Sequence, residues 1–112
     1  VVEADAATGF LEDKLSMLGL SDREAAEFIT FWGPRIAERG KALVTFASEE
    51  FARQAVYRLT DPSSGAGIVP DTFIRVYIVV GGVPQTAVPE QKLAPGPIRT
   101  GFTAVEWGGT ER

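Results

Sequence analysis

The sequence predicts an α+β fold, an N-terminal helical hairpin packed on a mainly antiparallel sheet of about three to five strands. Three observations lead there. Apolar residues recur at helical spacing from Phe10 to Ala37. From Lys41 onward the period shortens to two, and β-branched and aromatic residues gather in short runs. Helices come first and strands later, an order that disfavours βαβ winding. A chain of 112 residues fits one domain, with a hairpin over 8–40 and a sheet with Pro-rich connections over 41–112.

The elements follow in order. Val1 and Val2 are able to pair as an edge strand or to fray. Thr8 is a candidate N-cap for a short helix whose apolar face is Phe10, Leu11, Leu15 and Leu18, with Gly19 just past its end. Ser21 and Glu24 then stand at capping-box spacing. A second helix is expected over 22–39, with Ala25, Phe28, Ile29, Trp32, Ile36 and Ala37 as its apolar stripe. Pro34 lies inside it and should bend it without ending it, because the stripe continues and Gly40 supplies the stop.

Residues 41–46 read as a strand. Two readings of 49–60 stay open: one helix through Phe51, Ala52, Ala55, Val56 and Leu59, or a short turn followed by a strand over 55–60. Residues 61–67 have loop composition. Residues 72–80 form the strongest strand signal. Both of its faces are largely apolar, which predicts a central position. Four prolines (Pro84, Pro89, Pro95 and Pro97) mark 83–97 as an extended surface connection. The last strand is expected over 101–107, closed by Gly108 and Gly109, with 110–112 as a tail.

Composition removes much chemistry. The chain has no His and no Cys, so a Ser-His triad, a thiol nucleophile and an ordinary zinc site are excluded. Lys plus Arg is 11 against 15 for Asp plus Glu, a net charge of −4 that argues against nucleic acid as a partner. No run approaches the roughly 20 apolar residues of a membrane helix. No cofactor and no metal is expected. Glu49, Glu50, Asp61 and Asp71 are oxygen donors suited to calcium, but they lack EF-hand spacing and read as solvated surface. Ser63 and Ser64 sit in a loop with no base nearby in sequence.

The runs LEDKLSMLGLSDREAAEFITFWGPRI, PDTFIRVYIVV, PEQKL and GFTAVEWGGTE occur in that order. Together they resemble the C-terminal region of a group of uncharacterised bacterial proteins with a GFTVVEWGG-type ending. The similarity spans most of 10–111. It departs in an insertion at 63–69 and in Ala104, where the group usually has Val. Members have further sequence upstream, and the resemblance implies a secreted or surface-attached context. It favours a strand at 55–60 and brings no activity or catalytic residue with it.

The candidate ligand-binding residues are Asp71, Arg75, Tyr77, Glu106 and Trp107. Arg75 and Glu106 each stand inside an otherwise apolar strand, where an unpaired charge is costly, so the two are expected to meet across neighbouring strands. Such a pair serves either as structure or as the polar wall of a pocket. Tyr77 and Trp107 offer stacking surfaces, although core packing is the commoner use of such rings. Three functional readings remain. The first is a non-enzymatic binding or interaction domain of a bacterial envelope or secreted protein, with a protein, peptide or glycan partner. The second is a structural or assembly module that pairs, or self-associates, through an exposed strand. The third is a carboxylate-dependent enzyme built on residues such as Glu106, for which glycoside hydrolysis requires a second carboxylate.

Overall fold

The computed structural model describes residues 1–47, 59–60, 67–68 and 70–112. A short strand β1 (Val2–Glu3) and a 3-10 turn (Ala4–Ala6) lead into α1 (Ala7–Met17) and α2 (Asp22–Glu38). Strands β2 (Lys41–Phe46), β3 (Leu59–Thr60), β4 (Gly67–Ile68), β5 (Thr72–Gly81) and β6 (Thr103–Glu111) follow. The main sheet has the order β1-β2-β5-β6, and β3 and β4 form a separate antiparallel pair.

Local chemistry sets the helical hairpin. Ser21 Oγ accepts the Glu24 amide at 3.3 Å, and Glu24 Oε1 accepts the Ser21 amide at 2.8 Å, completing the capping box. Gly19 (φ 103°) and Gly40 (φ 71°) take the left-handed conformation just past the two helix ends. Helix α2 runs through Pro34, whose ring lies on the exposed side. Thr8 is not the cap of α1. The preceding 3-10 turn runs straight into the helix, Ala7 bonding back to Ala4, so no side chain is needed to start it.

One hydrophobic cluster joins the hairpin to one face of the sheet. Leu11, Leu15, Phe28 and Ile36 press onto Val44, Ile74, Val76, Ile78 and Val80, all buried. Each such side chain contributes roughly 1.5–3 kcal/mol of transfer free energy. The burial of β5 alternates between buried and half-buried residues, so its even-numbered side chains face the helices.

Strand β5 is central, as its composition predicts, but its two neighbours differ. The β1–β2 and β2–β5 ladders are antiparallel, whereas β5 and β6 run parallel from Thr72↔Thr103 to Val80↔Glu111. The sheet is therefore mixed. Parallel neighbours need a crossover, commonly a helix. Here the Pro-rich segment 82–102 makes it without a helix. Strand β6 also does not close at Gly108 and Gly109. It continues to Glu111, and Gly109 serves packing rather than a turn. A Cβ on Gly109 would lie 2.5 Å from Ile78 Cγ2 and would strike the Trp32 ring. The two readings of 49–60 fall mostly outside the described residues, where Leu59–Thr60 alone is seen, as strand. The loop 61–67 lies largely outside them too.

Candidate functional site

Alternation along β5 sends Phe73, Arg75, Tyr77 and Val79 to the face away from the helices. The parallel register sets Arg75 opposite Glu106 and Tyr77 opposite Gly108. Arg75 Nε lies 3.3 Å from Glu106 Oε2, with the two side chains 14% and 26% exposed. The Arg75 guanidinium also sits 4.9 Å from the centre of the Phe73 ring, a cation–π distance. The Tyr77 and Thr110 hydroxyls share a hydrogen bond. Arg75, Tyr77 and Glu106 thus form one group on one face, with the ion pair expected from the sequence at its centre.

The other two predicted residues stand apart. Asp71 fastens the mouth of the parallel ladder. Its Oδ2 accepts the Phe102 amide at 2.8 Å, while Phe102 O accepts the Asp71 and Thr72 amides at 2.9 and 3.1 Å. Thr72 Oγ1 completes the fastening by accepting the Thr100 amide at 2.9 Å. Gly101 (φ 59°) lies between these contacts, and a Cβ there would collide with the Asp71 carboxylate. Trp107 is on the helix face. Its ring packs 5.1 Å from Phe28 and 6.0 Å from Phe31. Neighbouring residues of a strand point to opposite faces, so Glu106 and Trp107 cannot line one pocket.

Two anchors of the crossover carry no local sequence signal. Gln91 Nε2 donates to Phe46 O and Gln91 Oε1 accepts the Phe46 amide, each at 2.8 Å, so a side-chain amide extends the edge of β2. Arg99 Nη2 donates to Gly19 O at 2.9 Å and makes a two-pronged ion pair with Glu24. The bound guanidinium holds the Glu24 carboxyl below its ordinary range and is itself raised by the carboxylate. Their signal was compositional only, polar side chains standing in a proline-rich run.

A cavity of about 370 Å³ between α1, β2 and the crossover is lined by Phe10, Lys14, Phe46, Gln91 and Leu93. A groove of about 770 Å³ between α1 and α2 is lined by Glu12, Asp13, Asp22, Leu20 and Ile29. Neither includes a predicted site residue. Among the described residues no group of three or more acidic side chains is placed to hold a metal ion. Glu49, Glu50, Asp61, Ser63 and Ser64 lie outside them. Among the described residues no helix is long and apolar enough to cross a membrane.

The longest interaction element is backbone. Strand β6 bounds the main sheet, and among the described residues nothing pairs with its outer edge. Phe102 O and the Arg112 amide bond toward β5, so the even-numbered residues of β6 face inward. By alternation, Thr103, Val105, Trp107, Gly109 and Glu111 direct their N–H and C=O groups outward. Comparison of the chain with family models, with curated proteins and with solved structures finds no match in any of the three.

Proposed function

We propose that this chain is a non-enzymatic interaction domain of a secreted or envelope-attached bacterial protein, and that it takes up an extended protein segment along the outer edge of β6. The observation carrying this reading is the length of that edge, along which nothing is paired among the described residues. Natural sheets blunt long edges with Lys, Pro or a bulge, or cover them. Strand β6 contains no Lys and no Pro, and it holds ladder register with β5 from end to end. The opposite edge, β1, is only two residues long. A docked strand would satisfy the outward groups by β-augmentation, in which main-chain bonds supply affinity. On the other face, Arg75 and Glu106 already engage each other. This favours a structural part for them over a ligand-binding one.

The test is selection of binders from a displayed library of random short peptides, followed by residue-resolved amide exchange on the complex. Protection is expected at the amides of Thr103, Val105, Trp107, Gly109 and Glu111. Binders that leave those amides unprotected, and instead perturb Arg75, Tyr77 and Glu106, would overturn the edge reading in favour of a site on the open face.

A further inference from the structure

We infer that the strand taken up by this edge is β6 of a second copy of the chain, running antiparallel and centred on Trp107. The inference rests on the edge reading above and adds the partner and its register. Two copies related by a two-fold axis perpendicular to the sheet pair their edge strands antiparallel, through the same patch on both. The outward residues 103, 105, 107, 109 and 111 are arranged symmetrically about 107. In that register Thr103 meets the partner's Glu111, Val105 meets the partner's Gly109, and Trp107 meets the partner's Trp107. Every outward N–H and C=O of β6 then finds its counterpart on both chains.

Charge and shape agree with this register. The chain carries a net charge of −4, so self-association must keep carboxylates apart. Glu106 stands opposite the partner's Gly108, Thr110 opposite the partner's Ala104, and Glu111 opposite the partner's Thr103, so no carboxylate stands directly opposite another. The two copies of Glu106 meet only on the diagonal, each with its own Arg75 beside it. Both glycines of β6 fall opposite larger residues, Glu106 and Val105. Just beyond the strand, Arg112 comes opposite the partner's Phe102, whose ring is 48% exposed in the single chain. A guanidinium over an aromatic ring is a favourable pairing. On the helix face, Phe31 is 42% exposed and lies 6.0 Å from Trp107. The two-fold axis joins this apolar patch to its own copy. An unrelated peptide would satisfy the same backbone groups but has no reason to match these side chains on both sides of Trp107.

The experiment combines sedimentation velocity over a concentration series with amide exchange on the unmodified chain, and repeats both on the double variant Thr103→Pro/Glu111→Pro. Proline at these positions removes outward N–H groups, together with the exposed Glu111–Arg39 ion pair, and spares the N–H groups that bond β5. The expected result is a concentration-dependent doubling of the 12.0 kDa mass. With it should come concentration-dependent protection of the Thr103, Val105, Trp107, Gly109 and Glu111 amides, and the double variant should lose both. The exchange pattern of the unmodified chain decides the matter even if that variant fails to fold. A dimer whose outward amides still exchange freely would overturn the inference. A chain that stays monomeric while selected peptides protect those amides would overturn self-pairing and leave the edge reading standing. A monomer whose edge no peptide protects would end both.

Discussion

The two neighbours of β5 are held by different physics. Strand β2 begins at Lys41, directly after Gly40 turns the chain out of α2, and it pairs antiparallel from Leu43↔Gly81 to Phe46↔Ile78. Its place follows from short-range events: a capped helix, a left-handed glycine and an alternating run. Strand β6 arrives after 82–102, parallel and without a helix to guide it. Its place depends on contacts made far along the chain. Gly96 bonds Met17 O at 2.8 Å and packs against the Leu18 carbonyl, where a Cβ would collide. Gly101 and Gly109 are likewise sites of close approach. One flank is thus specified by the side chains present, the other in large part by side chains missing.

The sharpest way to break this contrast is the same substitution made in β6 and in the locally specified helical hairpin that leads into β2. Gly109→Ala should destabilise the domain by about 3 kcal/mol, the upper range of overpacking, since the new methyl meets Ile78 and Trp32. Gly9→Ala, inside α1 with open space around it, should stabilise by about 0.5–1 kcal/mol through helix propensity. Denaturant midpoints with matched slopes measure both. Equal effects of one sign would refute the distinction.

Next in size is the charged pair across the parallel ladder. Glu106→Gln should cost about 1–2 kcal/mol, below the range for a fully buried pair because Glu106 keeps 26% of its side chain exposed. Arg75→Met together with Glu106→Leu should recover much of that loss, since an apolar pair of similar volume avoids desolvating charge. A double variant no more stable than Glu106→Gln would show that Arg75 contributes through partners other than Glu106.

The same contrast explains what was legible beforehand. The capping box, both stop glycines, β2 and the central β5 are written in residues near one another, so periodicity and caps reveal them. The meeting of Arg75 and Glu106 was legible because an isolated charge in an apolar strand demands a partner. The parallel sense of β6 was not. It turns on where 82–102 is fastened, and those fasteners are single residues (Gln91, Gly96, Arg99) without a pattern. Gly108 and Gly109 together read as a strand breaker because a glycine required by a neighbouring ring, as Gly109 is, looks in one dimension like a glycine required by a turn. Trp107 and Glu106 stand among the same candidate residues, although strand alternation puts Trp107 on a face with Thr103 and Val105 and Glu106 on the other.

The smallest expected effect concerns the Arg99 fastener, and its sign follows from the Glu24 carboxyl. Folding lowers this group from its ordinary value of 4.5, chiefly through the Arg99 hydrogen bond. A depressed carboxyl contributes stability above its unfolded value and loses it as pH falls through the folded one. Both partners are partly exposed, so solvent screening limits the pair to about 0.5 kcal/mol at neutral pH. Glu24→Gln should remove that amount at pH 7 while keeping the box, since Gln at this position also reaches the Ser21 amide. The gap between Glu24→Gln and the parent should close as the pH falls below 4.5 and the parent carboxyl takes up its proton. Arg99→Met should behave differently. Arg99 also donates to Gly19 O at 2.9 Å, a bond to a carbonyl that does not titrate. Part of its loss should therefore persist in acid. Denaturation of the three chains at neutral and acid pH separates the two contributions. If Arg99→Met converged on the parent in acid as fully as Glu24→Gln, the bond to the end of α1 would contribute nothing, and Arg99 would act at that corner by charge alone.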